Sequence, residues 1–403
     1  MFRIIARRRI NYSLKDCLTL FLLSWKGEII RGNSISDFES RFANFIGVKY
    51  AVCVSSGRDG LRLTLESLGL RKGDEILLPA FTFSAVPKIV MECGLKPIFL
   101  DIEANSYNID LNAMEQSISS RTKAIIATHI FGCPCDIEKL IQIANKYKLA
   151  VIEDCAQAIG AAYKGKRVGS YGLLGFFSFE SVKPFNTFGG GIVVTNDNNL
   201  FTTVRKMVLE RPYPSKKNIY KRFLFTTMEC FLSSPVIFSM FIYPVLLLYG
   251  GNLAKPFRRM KGTIKAFGIR FTNFQATIGI SRLEELEGHN SKRVELAKHL
   301  DKLLRNSLKL QVIKEGGEPI YYNYVIDNNA PDKLCGKLLF RGVDTDRFFN
   351  CDCSSLFQVG HCYPNAARAV KNLIQIPLYH QLKEKDIEYI ALMLRKSINS
   401  GDE

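Results

Sequence analysis

The 403-residue sequence has no internal repeat and no low-complexity tract, which sets aside solenoid, collagen-like and disordered architectures. Its N-terminus, MFRIIARRRINYSLKD, lacks the uninterrupted apolar core and small-residue cleavage site of a secretory signal, so export is not expected. The eleven cysteines follow no repeating frame and are odd in number, which argues against a disulfide scaffold and for a reducing, cytoplasmic setting. Cys133/Cys135 and Cys351/Cys353 are spaced C-x-C with no His/Cys set at zinc-site distances, so buried thiols are expected and no metal. Acidic residues are scarce beside basic ones. The 38 Asp and Glu against 55 Lys and Arg leave a net charge of +17, which attracts nucleotide phosphates, acidic lipid headgroups or nucleic acid. No nucleic-acid reading motif accompanies that charge, and no nucleic-acid partner is expected.

The chain is long enough for one large domain and a smaller one, and 47% hydrophobic with 23% charged residues is ordinary for a globular enzyme. Between Lys49 and Asn196, short β-branched runs alternate with helical patterns, the mark of βαβ units in a mainly parallel sheet. The expected strands are 50–56, 75–79, 97–101, 124–130, 150–154, 176–179 and 191–196. A long helix is expected from Ile280 to Leu304, leading into a small α+β unit. The expected division is a basic N-terminal segment (1–30), a large domain (31–280) with an apolar insertion at about 221–250, and a linking helix with a C-terminal domain (281–403).

Within that insertion, residues 223–249 carry one charge, Glu229, and two prolines, Pro235 and Pro244. The length permits a membrane span. Basic residues lie on both flanks, however, at Lys216, Lys217, Lys221 and Arg222 and again at Lys255, Arg258, Arg259 and Lys261, so both ends favour the same side. A broken interfacial hairpin, or a hairpin buried against the core or an oligomer interface, fits better than a span.

Three motifs carry chemistry. Ser55-Ser56-Gly57-Arg58-Asp59-Gly60 lies between a strand and a helix, where backbone N–H groups and the helix dipole favour an anion such as phosphate. Asp154 ends the buried strand AVIED, at the strand edge where open α/β sheets bind ligands. Lys183 follows the aromatic strand FFSF and precedes Gly189-Gly190-Gly191, a place where a partly desolvated amine attacks carbonyls. Taken singly, these also read as a tight turn, a helix cap and a surface lysine. Taken together, a phosphate cradle, a carboxylate and a lysine are what pyridoxal 5'-phosphate (PLP) requires of its protein.

The residues that follow carry a resemblance. VIEDCAQAIGAAYKG, FFSFESVKPFNTFGGGIVVTND, RFTNFQATIGISRLEEL, GVDTD and IPLYHQL occur in an order similar to that of the DegT/DnrJ/EryC1/StrS family of PLP-dependent sugar aminotransferases. The resemblance implies an α/β, fold-type I PLP-transferase with a seven-stranded, mainly parallel sheet flanked by helices and a small α+β C-terminal domain. It implies that Lys183 forms the Schiff base, that Asp154 pairs with the pyridine nitrogen, and that Gln157 approaches the ring hydroxyl. Phe83 would stack on the ring, while Ser178 and the Gly57, Arg58 and Asp59 turn would hold the phosphate. Glutamate as amino donor, a nucleotide-linked keto-sugar as acceptor and a homodimer are the further expectations that the same likeness implies. The chain departs from the pattern at Glu180, where the family often has His, at Arg58-Asp59 in place of Thr-Ala, and at Gly268, in place of an Asn two residues before Arg270. The family's dehydratases replace the lysine with histidine, so Lys183 favours transamination. Two further readings stand beside this one. Residues 223–249 suggest peripheral membrane contact at the inner face and a lipid-linked sugar, and Glu180 with Gly268 suggests a non-catalytic scaffold or regulator.

Overall fold

The computed structural model describes residues 3–248, 268–305, 307–347, 350–357 and 363–399. Its central sheet comprises β1 (Tyr50–Val54), β2 (Glu75–Pro79), β3 (Lys96–Leu100), β4 (Thr122–Thr128), β5 (Ala150–Asp154), β6 (Leu174–Ser178) and β7 (Gly191–Thr195). The order is β1-β7-β6-β5-β4-β2-β3, and only β7 runs against its neighbours. Along the chain pack helices α1 (Leu14–Trp25), α2 (Ser34–Ile46), α3 (Gly57–Ser67), α4 (Ala85–Glu92), α5 (Ile137–Lys146), α6 (Asn198–Leu209), α7 (Lys216–Leu232) and α8 (Asn273–Leu304).

Both faces of the sheet are covered, which is why EILLP and AIIAT are near-continuous apolar runs. Ile76, Leu78, Ile126 and Ile152 pack against α3 and α4, and the alternate residues Leu77, Ile125 and Val151 pack against α5. Each expected strand is present, displaced by two residues at most. Ser55 and Ser56 leave β1 because Ser56 caps α3, its side chain accepting from the Asp59 N–H. The long helix starts seven residues earlier than Ile280, because Thr272 and Gln275 form a capping box that satisfies each other's backbone N–H groups.

A second core lies around the C-terminal half of α8. Tyr324–Asp327 pairs antiparallel with Leu373–Ile376, covered by Pro331–Phe340 and Glu384–Asn399. The basic N-terminal segment belongs to this unit: Ile5 bridges Val343, and Arg7 pairs with Asp344 and Asp346.

The apolar insertion forms a bent hairpin. No single described helix is long and apolar enough to cross a membrane, but α7 and Pro235–Leu248 pass that test together, bent by 61°. Its inner face is packed: Phe223 stacks on Phe188, and Tyr243 donates to the Leu339 carbonyl at 2.8 Å. The one charge between 223 and 248, Glu229, accepts from Ser181 Oγ at 2.7 Å. The outer face is exposed at Leu224, Phe231, Val236, Met240, Phe241 and Leu248. Residue 249 and the flank bearing Lys255, Arg258, Arg259 and Lys261 lie outside the described residues.

Candidate active site

Strands that run the same way present their carboxyl ends along one edge of the sheet, and the three motifs meet there. Asp154 is in register with Thr128 of β4 and Phe176 of β6, so Ser178 emerges one pleat beyond it. The first turn of α3 comes up against the same strand. A Cβ placed on Gly57 would lie 2.7 Å from the Ser178 Cβ, so only glycine lets the helix start seat on β6. Gly57→Ala is therefore expected to fold but to bind PLP about tenfold or more weakly, because overpacking costs roughly 1–3 kcal/mol. Cofactor titration of the purified variant checks this, and unchanged affinity would separate Gly57 from the phosphate.

Arg58 is exposed, whereas Asp59 is buried and turned inward. Its carboxylate accepts from Ser55 Oγ and pairs with Arg211. The substitution of Arg-Asp for Thr-Ala thus ties the Gly57 turn to the segment after α6.

Lys183 sits in a turn whose backbone N–H donates to the Glu180 carbonyl at 2.8 Å. Phe179 and Phe185, before and after it, are fully buried with ring centroids 4.8 Å apart, and they join Phe38, Phe42 and Phe177 in one aromatic cluster. The turn is pinned at both ends. Lys183 Nζ lies 4.4 Å from the centre of the Tyr322 ring. Burial pushes the Asp154 carboxyl above its usual pKa, against the pull of the Ala156 N–H, Lys183 and His129, so Asp154 and Lys183 feel each other's charge. Gln157, in the loop after β5, accepts from the Phe131 N–H at 3.0 Å. Phe83 is 42% exposed on Phe81–Phe83, which pairs with Asn350–Asp352. Of the departures, Glu180 faces Arg222, whose guanidinium packs against Gly189. Arg270 donates to the Arg211 carbonyl at 2.9 Å, within its own chain.

Several residues of this region are absent from the motif reading. Lys183 lines an open cleft between the two cores, shared with Arg7, Arg8, Arg9, Arg293, Tyr322 and His380. The resembling segments GVDTD and IPLYHQL reach the same cleft through Asp346 and Leu378–Gln381. The local field is positive: burial, then the neighbouring His289, Arg293, Arg9 and Arg282, push the His380 pKa down to about 3. Tyr322 and Arg293 have no motif of their own, and only the aromatic and basic character of their segments marks them.

Glu153, beside Asp154, faces the opposite way. Its two oxygens accept from the N–H groups of Gly169, Tyr171 and Gly172, each at 2.7 Å, and from His129 at 3.1 Å. His129, Glu153 and Cys155 place ligand-type atoms within 4.8 Å of one another, but both Glu153 oxygens are already engaged and His129 Nδ1 accepts from the Cys135 N–H. This is a hydrogen-bond network holding β4 to β5. Burial works against charge on the His129 ring, yet Cys135, Cys155 and Glu153 outweigh it and raise its pKa well above the usual value. A raised histidine pKa adds stability that is complete below the unfolded value of about 6.5 and is lost as pH climbs through the folded one. The melting-temperature gap between wild type and His129→Gln should therefore narrow on the alkaline side, and a pH-independent gap would contradict it. The ten cysteines described are all free.

These residues fit PLP. Gly57 lets the N-terminus of α3 seat on β6, where helix N–H groups favour a phosphate, Asp154 offers a buried carboxylate to a ring nitrogen, and Lys183 stands within electrostatic reach of that carboxylate. Comparison with known proteins agrees. The DegT/DnrJ/EryC1/StrS aminotransferase family matches residues 23–395. A GDP-perosamine synthase of Escherichia coli O157:H7 is 33% identical over 311 residues, 77% of this chain and 72% of that one. A UDP-N-acetyl-3-dehydro-glucosamine 3-aminotransferase of Acidithiobacillus ferrooxidans is 28% identical over 92% of this chain and 90% of its own. The solved putative sugar aminotransferase Spr1654 of Streptococcus pneumoniae, in its PMP form, shares the fold with a TM-score of 0.79 at 20% identity, covering 98% of both chains. Lysine, carboxylate, glycine turn and fold lead to one assignment: the chain belongs to the DegT/DnrJ/EryC1/StrS aminotransferase family and is a PLP-dependent aminotransferase of fold type I.

Proposed function

We propose that this aminotransferase moves an amino group from glutamate to a keto-sugar carried on a nucleotide. The observation that carries the reading is Lys183 in the lining of a cationic cleft, where Arg8, Arg9 and Arg293 offer positive charge to a diphosphate. The relatives named above bear GDP- and UDP-linked sugars in their names, which supports the nucleotide carrier. Bound PLP supplies the electron sink that lets the α-proton of an amino compound be removed. Asp154 would hold the positive charge at the ring nitrogen; Ser178 and the Gly57-Arg58 turn would hold the phosphate, while the backbone N–H of Asp59 is engaged by Ser56. Phe83 and Gln157 would flank the ring. Lys183 Nζ takes the donor's α-proton and returns one to the sugar carbon, with Tyr322 beneath it limiting where the amine points.

A homodimer is part of this reading, as the family builds its sites between two chains. So is a cytoplasmic enzyme held at the inner face of the membrane by the outer side of the 223–248 hairpin, supported by the apolar residues exposed there. The test is to add glutamate to the PLP-loaded protein, follow loss of the visible absorption band, and offer GDP-, UDP- and dTDP-linked keto-sugars with detection of the amino product by mass. A band that glutamate discharges, followed by amination of at least one of these sugars, is expected. Discharge with no product from any of the three carriers would defeat the nucleotide-sugar reading.

A further inference from the structure

Helix α1 is built inside out. Its inward side carries a charge: Asp16 is buried, closes a capping box with Ser13 and pairs with the buried Arg282 of α8. Its outward side carries Leu14, Leu18, Phe21, Leu22 and Trp25, spaced four, three, one and three residues apart, and so on one face. Leu14 is 84% exposed and Trp25, the only tryptophan of the chain, is 83% exposed. The Asp16–Arg282 pair fixes the rotation of the helix, so this stripe cannot turn into the core without stranding a buried charge.

The stripe adjoins the apolar hairpin. Tyr220 of α7 donates to Ser24 Oγ of α1 at 2.9 Å, and Phe223 packs on Tyr12 just ahead of α1. That contact brings the start of α7, with exposed Lys216, Lys217 and Lys221, alongside the Trp25–Lys26 end of α1. Across 14–26 and 216–248 the exposed residues include five lysines and no carboxylate. Leucine, phenylalanine and tryptophan framed by lysine is the composition of a helix lying in a lipid headgroup layer. A second copy of this chain would set lysine against lysine, whereas anionic headgroups neutralise it.

We propose that α1 and the hairpin form one membrane-docking surface for an anionic bilayer, with Trp25 seated at the headgroup level. This rests on the proposed inner-face location and adds α1, its lysine rim and the lipid charge. Trp25 is its own reporter. The PLP-loaded enzyme is mixed with vesicles of phosphatidylcholine, with and without phosphatidylglycerol, and followed by sedimentation and by tryptophan emission. Sedimentation with the anionic vesicles and a blue shift of Trp25 emission are expected. Leu18→Ser with Phe21→Ser should weaken partitioning at least about tenfold while the PLP band is kept, because two apolar side chains leave the lipid. Sedimentation without a change in Trp25 emission, or undiminished by the double substitution, would overturn the part of α1 and leave the hairpin contact standing. No sedimentation at all would overturn both. A blue shift that depends on protein concentration without vesicles would overturn the lipid in favour of a second copy.

Discussion

Lys183→Ala is expected to bind PLP without the visible band of the wild-type enzyme and to lose amino transfer on the order of 10⁴–10⁶-fold, the scale of removing a nucleophile and proton carrier in one step. No described neighbour replaces it. The turn holds one lysine, pinned by Phe179 and Phe185, and the cations nearest the cleft are arginines, which cannot give up a proton. Conservative replacement sharpens the test, because Lys183→Arg keeps the charge over Tyr322 and removes the chemistry. Absorption spectra and single-turnover transfer from glutamate decide it. If Lys183→Arg retained more than about a hundredth of wild-type turnover, a different base would have to be sought, since general base catalysis alone contributes about 10²–10⁴-fold.

Glu153→Ala should produce the largest loss of stability. Four hydrogen bonds converge on this fully buried carboxylate, three of them from consecutive parts of the loop between β5 and β6, and the fourth from His129. Alanine strands three backbone donors and the His129 ring N–H in the interior, where removing the carboxylate of such a buried network costs roughly 3–5 kcal/mol. A melting temperature lower by roughly 4–6 °C is expected for a chain of this length. Glu153→Gln, which keeps an acceptor of nearly the same shape, should recover part of it. The consequence reaches the site, because Asp154 is the next residue on the same strand. Should Glu153→Ala melt within a degree or two of wild type, the network would be solvated and its role in holding Asp154 would fall with it.

The two adjacent acids show what can be read from a chain and what cannot. Both end the run AVIED, and a strand's alternation sends them to opposite faces. Alternation alone does not say which face holds the ligand. The Gly57 turn and Ser178 lie on Asp154's side, which supports a ligand there, and Gly169, Tyr171 and Gly172 lie on Glu153's. Asp59 is a similar case. Its place in the turn is evident in sequence, but its partner Arg211 lies 152 residues away, and an ion pair across that separation leaves no local signal. The start of α8 was legible in Thr272 and Gln275, whose spacing is that of a capping box, although the apolar periodicity becomes regular only after Ile280. Helix α1 left no signal in its composition, because twelve residues with a good apolar stripe look the same whether that stripe faces core or solvent.

By itself the sequence determined the class of fold and the seven strands of the sheet, and it singled out the lysine, carboxylate and glycine turn of the proposed site. These depend on local periodicity, on backbone freedom and on chemistry carried by single residues at strand ends. Tertiary structure alone decided the rest. It joined the N-terminal arginines, Arg293, Tyr322 and His380 into the cleft around Lys183, and it turned the charge of α1 inward and its tryptophan outward. Those arrangements are made by contacts between residues far apart in the chain. Their energy depends on burial and on distance in space, which a linear pattern does not record.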